Sequence, residues 1–172
     1  MGVSATDRFD GEKRRPQDEY QTPVYCVEKL IPYISFHGDC HFLEPCAGEG
    51  NIVDIVSPLV KSVTTCEIKA VKDYFAFSGS ADLIITNPPF SLAIDFLEKS
   101  LGEADTVVYL LRLNFFGSVK RKEFWNKNKP SHLFVLTPRP SFTEGGTDSC
   151  EYGWFCWDRR NRVKADHWLT VL

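Results

Sequence analysis

Asp82-Leu83-Ile84-Ile85-Thr86-Asn87-Pro88-Pro89-Phe90 reads as a short buried strand that stops at a polar amide, two prolines and an aromatic ring. Leu83, Ile84 and Ile85 form an apolar run too short for a helix and rich in β-branched residues, as an interior parallel strand requires. Consecutive prolines neither continue a ladder nor sit inside a helix. They stiffen the chain at the carboxyl end of the strand, the end at which open α/β sheets bind ligands. Asn87 and Phe90 are therefore expected on a rigid turn at the functional edge of such a sheet.

Upstream, His41-Phe42-Leu43-Glu44-Pro45-Cys46 reads as the first strand. It runs into Ala47-Gly48-Glu49-Gly50, and a helix is expected from about Asn51 to Val60. A strand, a glycine turn and a helix bring backbone close to a ligand. A lone G-x-G is weak evidence; after Glu-Pro at a strand end it is stronger. Lys61 to Ile68 is the expected second strand. Near its end stands Glu67, nineteen positions beyond Gly48, where a nucleoside-binding α/β fold places a ribose-binding carboxylate. Before these, Tyr20-Gln21-Thr22-Pro23 opens a helix, with Thr22 as N-cap and Pro23 as first helical residue. Val27, Leu30, Ile31 and Ile34 continue it at helical spacing, and its N-terminus is also an anion site. Residues 1–19, including Lys13-Arg14-Arg15-Pro16, have little to bury and are expected to form a mobile arm.

Downstream of Glu67 the chain is compressed. Lys72 to Phe77 is the expected third strand, and Asp82 to Thr86 the fourth. Ser91 to Leu101 is an amphipathic helix, and Thr106 to Leu111 an unbroken apolar fifth strand. Lys120-Arg121-Lys122-Glu123-Phe124-Trp125 reads as a basic helical stretch. His132 to Leu136 and Tyr152 to Trp157 are the sixth and seventh strands, separated by a loop with Gly145-Gly146. Trp168 to Leu172 adds a terminal strand. With no repeat or linker in view, residues 20–172 are expected to form one domain.

A chain of 172 residues suits one domain with a substantial core. It contains no apolar run of the ~18 residues that suggests a membrane span. The start of the chain, Met1 to Tyr20, lacks an apolar segment of the secretory kind, so a cytoplasmic location is expected. The six cysteines include no C-x-x-C pair and read as reduced thiols. His37, Cys40 and His41 lack a second ligand pair, so no metal site is expected there. The net charge of -3 hides an asymmetry. Residues 1–106 carry 9 Lys+Arg against 17 Asp+Glu, and residues 107–172 carry 11 against 6. A basic half of this kind can meet phosphates; a solvated surface of mixed charge is the plainer alternative.

Taken together, Tyr20-Gln21-Thr22-Pro23, then Glu44-Pro45-Cys46-Ala47-Gly48-Glu49-Gly50, then Asn87-Pro88-Pro89-Phe90 resemble the three chief motifs of S-adenosylmethionine-dependent DNA N6-adenine methyltransferases. Their order is similar to that of the Dam-like, small phage-encoded branch. Arg112-Leu113-Asn114-Phe115, Arg139-Pro140-Ser141-Phe142, Thr147-Asp148-Ser149 and Tyr152-Gly153-Trp154-Phe155 resemble later segments of such proteins, so the likeness covers about residues 18–158. The resemblance implies a Rossmann-like class I methyltransferase sheet, mostly parallel with an antiparallel edge strand, and helices on both faces. It implies a bacterial or phage-infected host cell. A separate target-recognition region is not evident, which suggests a relaxed target.

The resemblance also implies the roles. Asn87, Pro88, Pro89 and Phe90 are the expected catalytic group: the Asn87 side-chain oxygen and the Pro88 carbonyl accept from the adenine N6 amine, and Phe90 stacks on the base. Tyr20, Gln21, Thr22, Pro23, Glu44, Pro45, Cys46, Ala47, Gly48, Gly50, Glu67, Ile68 and Phe75 are expected to line the S-adenosylmethionine site. There Glu67 takes the ribose hydroxyls, and Phe75 brackets the adenine, with Asp73 as second choice. Arg112, Lys120, Arg121, Lys122 and Arg139 are the candidate phosphate contacts. The donor is a sulfonium, so no metal is needed. DNA, double- or single-stranded, is the expected substrate; RNA is the alternative polymer. A glutamine methyltransferase or an inactive partner that binds cofactor or nucleic acid is a further reading, and the intact tetrad disfavours the inactive one. Neither oligomeric state nor target sequence is legible.

Overall fold

The computed structural model describes residues 20–67, 74–142 and 148–172. The expected arm at 1–19, Ile68, Asp73 and the Gly145-Gly146 loop lie outside the described residues. Seven strands form one sheet: β1 His41–Glu44, β2 Ser62–Thr65, β3 Ala81–Thr86, β4 Ala104–Arg112, β5 His132–Val135, β6 Tyr152–Asp158 and β7 Leu169–Val171. Their spatial order is β2-β1-β3-β4-β6-β5-β7. β1 pairs in parallel with β2 and β3, and β3 with β4. β6 runs antiparallel to both β4 and β5, while β7 returns parallel to β5. The sheet is thus Rossmann-like and mostly parallel, as expected. The antiparallel strand lies inside it, however, because β6 pairs with β4 on one side and β5 on the other, and β7 extends the sheet beyond β5.

Each central strand is buried on both faces, which is why it reads as a continuous apolar run rather than an alternation. Along β4, Val108 and Leu110 join Phe42, Leu83 and Ile85 in one core, packed under helices α1 (Val24–Leu30) and α2 (Asn51–Val56). Val107, Tyr109 and Leu111 face the other way with Leu43 and Ile84, under α3 (Ala93–Glu103) and α4 (Lys122–Lys127). The period-two alternation of a strand therefore feeds two cores at once. On the second face Tyr109 shares Ser100 Oγ (2.6 Å) with Tyr74 (2.9 Å), and the Tyr74 hydroxyl donates to Glu103 (2.8 Å). This buried chain of hydroxyls satisfies polar atoms that would otherwise be costly there.

Several local expectations need correction. Over the described part of the third strand expected at Lys72–Phe77 no strand is formed: Tyr74–Ala76 is a single 3-10 turn. Tyr74 is fully buried and tied to α3, so tertiary packing overrides the β propensity of its aromatic neighbours. Thr22 is not a helix cap. The cap is Pro23, with no side-chain bond, and the helix begins at Val24. The α-helical bonding of α1 and α2 stops at Leu30 and Val56, each followed by a 3-10 turn containing Pro32 or Pro58, which lack the N–H to continue. The His41 ring is engaged with β2, its two nitrogens 2.7 Å from Ser62 Oγ and 3.2 Å from Thr64 Oγ1. The six cysteines form no disulfide with one another, and four of them are buried. No helix among the described residues is long and apolar enough to cross a membrane.

Candidate active site

Parallel strands put their carboxyl ends on one edge of a sheet. β1, β3 and β4 end there at Glu44, Thr86 and Arg112, and the antiparallel β6 begins there at Tyr152, directly opposite Arg112. Residues distant in sequence converge on this edge.

Glu44 is fully buried. Its Oε1 accepts from the Cys46 N–H (2.9 Å) and from the Thr86 hydroxyl. Its Oε2, also buried, has no hydrogen-bond partner among the described residues. Burial pushes the carboxyl up to about 8; the Thr86 hydroxyl and the Cys46 amide oppose that rise, and nearby Glu67 adds to it. Thr86 was not singled out in the sequence. Its signal is position: it closes β3 immediately before Asn87. The Pro45-Cys46-Ala47 turn closes with Ala47 N–H on Cys66 O (3.1 Å), and Gly50 N–H returns to Ala47 O (2.8 Å). Gly48 has φ +52° and donates to Glu67 Oε2 (2.7 Å). A Cβ at Gly48 would lie 2.9 Å from the Gln21 amide. The dihedral is what calls for glycine here; the Gln21 amide, at the end of a flexible side chain, could move aside.

Residues 20–22 run across this loop to the Asn87-Pro88-Pro89 turn. Gln21 Oε1 accepts from Glu49 N–H (3.1 Å), and Asn51 Nδ2 donates to Thr22 O (2.9 Å). Asn87 Nδ2 donates to the Tyr20 carbonyl at 2.9 Å. A carbonyl only accepts, so the amide nitrogen faces Tyr20 and Oδ1 is turned away from it. Pro88 and Pro89 are buried behind Asn87, whereas Phe90 is half-buried at the rim. The Phe90 ring lies 6.3 Å from Tyr20 and 6.0 Å from Tyr152. Phe142 closes the group at 5.8 Å from Tyr20 and 4.9 Å from Tyr152.

Arg112 belongs to this rim. Its guanidinium sits 4.7 Å over the Phe90 ring, with Nε on the Tyr152 hydroxyl (2.8 Å) and Nη2 on Asp148 (3.3 Å). Asp148 also accepts from the Tyr152 hydroxyl (2.7 Å). These partners hold the Arg112 charge against the cost of burial. Asp148, Tyr152 and Phe142 carried no role in the sequence reading, although their segments were among those that resemble other proteins. Of the remaining basic candidates, Arg121 stacks on Phe115 (3.7 Å) and bonds its carbonyl (3.2 Å), which makes it a packing element. Lys120, Lys122 and Arg139 are exposed. Phe75 is 45% exposed, with one edge against Phe96 at 4.7 Å. Pro23 caps α1 within the same strap.

No protein-family model and no curated protein matches the sequence. Solved structures do. A candidate RNA methyltransferase from Pyrococcus horikoshii matches with a TM-score of 0.67 at 16% identity, over 90% of this chain and 95% of that one. A dimethyladenosine transferase from Plasmodium falciparum matches with a TM-score of 0.60 at 14% identity, over 80% of this chain and 61% of its own. The chain has the class I methyltransferase fold. A type I restriction-modification methyltransferase subunit from Streptococcus thermophilus shares it at a TM-score of 0.54 and 12% identity, over 83% of this chain and 45% of that subunit. At such identities the methyltransferase fold is what is shared; substrate and residue roles rest on the site.

Proposed function

We propose that this chain transfers a methyl group from S-adenosylmethionine to the N6 amine of adenine in DNA, presented flipped out or single-stranded, with relaxed sequence specificity. The observation that carries the reading is the orientation of Asn87. Its nitrogen is held by Tyr20, so its oxygen is offered as an acceptor on a stiff Pro-Pro turn at the ligand-binding edge. An adenine amine has its lone pair drawn into the ring. Acceptors on both N–H groups, from Asn87 Oδ1 and the Pro88 carbonyl, favour the pyramidal form that attacks. Because the turn is rigid, those acceptors need no reorganisation in the transition state. Phe90, half-buried, supplies a ring face for the base. A base inside a duplex cannot reach such a pocket.

The residues present fit the cofactor. The unpartnered buried Oε2 of Glu44 calls for a cationic or donor group, which the ammonium of a bound methionine moiety would supply. Gly48 leaves the loop open to close approach, and Glu67, tied to the Gly48 amide, would accept ribose hydroxyls. Tyr20 to Pro23, Pro45 to Ala47 and Gly50 frame that loop, and Phe75 remains the described candidate to bracket the adenine ring. When bound, the sulfonium supplies an already activated methyl group. The chain's own part would be to hold the amine at Asn87 Oδ1 and the Pro88 carbonyl, and its surplus proton would leave to solvent.

The order of the motifs and the likeness to a restriction-modification subunit support DNA. The extent of likeness to the Pyrococcus protein favours RNA as the second reading. Labelled-methyl transfer to unmethylated duplex DNA, single-stranded DNA and RNA, followed by nucleoside analysis, separates them. N6-methyladenine is expected from DNA; its recovery from RNA alone refutes the leading reading.

A further inference from the structure

We infer that the main-chain carbonyl of Tyr20 is the positioning group for Asn87, and that it makes an amide, not a carboxylate, obligatory at that place. The mechanistic consequence rests on the function proposed above; the positioning itself does not. An acceptor role alone sets no such requirement, because an aspartate offers two oxygens and accepts more strongly than an amide. Here, however, one side of the group faces the Tyr20 carbonyl at 2.9 Å. Only the amide gives a donor to that side and an acceptor to the other. An ionised aspartate would set an oxygen anion against the carbonyl dipole and be turned out of line.

The carbonyl is itself held in place. Gln21 and Thr22, the next residues along, are tied to Glu49 and Asn51. The Tyr20 ring rests between Phe90 and Phe142. The same three residues therefore contact the glycine loop, the start of α2 and the catalytic turn. A protonated aspartic acid would restore both functions, with its O–H on Tyr20 and its C=O as acceptor. The positioning model therefore gives Asn87→Asp a pH profile that no amide can show. The titratable and charged groups around the turn are Glu44, Cys46 and Glu67 on the loop side, and Arg112, Asp148, Tyr20 and Tyr152 on the rim. All are common to the wild type and the variant, so the difference between their profiles isolates residue 87.

Two measurements test the inference. Side-chain amide NMR on the full chain reads the bond without any turnover: one Asn87 Nδ2 proton is expected to exchange slowly. Exchange of both protons at the rate of a free amide overturns the assignment. In transfer assays, Asn87→Asp is expected to lose on the order of 100-fold in kcat at pH 8 with the cofactor Kd nearly unchanged. Its activity relative to wild type should then climb as pH falls. Wild-type kcat in Asn87→Asp, or a flat ratio across pH, refutes the requirement for an amide. If the variant does not fold, an α-hydroxy acid at position 21 weakens the Tyr20 carbonyl as an ester. A several-fold lower kcat is then expected, and an unchanged kcat counts against the inference. If the wild type methylates no polymer, the functional reading fails, while the proton-exchange result still decides the positioning.

Discussion

Two polar side chains, Glu44 fully buried and Asn87 half-buried, stand at the centre of the proposed chemistry. Glu44 is a carboxyl whose folded-state pKa is raised to about 8 by burial, against about 4.5 when exposed. Between those values the folded state binds more protons than the unfolded state, so stability falls as pH rises. The contribution is fully present below about pH 4.5 and lost as pH climbs through about 8. Denaturant midpoints of the ligand-free chain should decline across that window, and Glu44→Gln should flatten the decline; an equal slope in both proteins would place the raised group elsewhere. At Asn87 the expectation is kinetic. Asn87→Ala should lower methyl transfer on the order of 100- to 1000-fold, while equilibrium dialysis finds cofactor affinity nearly intact. An active Asn87→Ala enzyme would remove the amide from the mechanism.

Between elements, β6 is where the sheet is most tightly constrained. Gly153 pairs with Leu111 on one side and Val135 on the other. A Cβ there would lie 2.8 Å from the Phe134 carbonyl and 2.9 Å from Leu133. A backbone oxygen in a ladder cannot swing aside as a side chain does. Gly153→Ala should therefore destabilise by about 1–3 kcal/mol, read as a lower denaturant midpoint at unchanged m-value. Because β6 also delivers Tyr152 to Arg112, that loss should be accompanied by a drop in transfer. The failed third strand shows the same dominance of packing over local preference: Tyr74 is drawn to Ser100 and Glu103 on α3, which bends its segment into a turn.

For the whole molecule, the basic C-terminal half divides into two populations. Arg112 and Arg121 spend their charge on Asp148 and on the Phe90 and Phe115 rings, whereas Lys120 and Lys122 remain exposed. Lys120→Glu with Lys122→Glu should weaken nucleic-acid binding and make its dependence on salt shallower, since each phosphate contact contributes about one unit of slope. Thermal stability should barely change, because exposed charges contribute little. A binding constant and slope equal to wild type would leave these lysines as plain surface. Arg121→Ala should instead act through stability.

What the sequence determined by itself is local and contiguous. The apolar run Leu83 to Ile85 reads directly as an interior strand, because burial on both faces leaves no polar alternation. Pro88-Pro89 dictates the stiff turn, and Gly48 and Glu67 stand at a spacing that a loop, helix and strand can close, as the 2.7 Å bond between them does. Expectations failed where one residue's conformation is settled by a distant one. Thr22 lost its cap because its carbonyl and its neighbours serve the glycine loop and Asn51. Arg112 meets Tyr152 because β6 runs antiparallel and sets the two opposite each other, a pairing the linear chain does not show. No pattern in the linear chain announces that Tyr20, 67 positions before Asn87, presents its carbonyl to that amide. A main-chain carbonyl is the same in every residue, so only the tertiary fold decides which one meets Asn87, and in which direction its oxygen points.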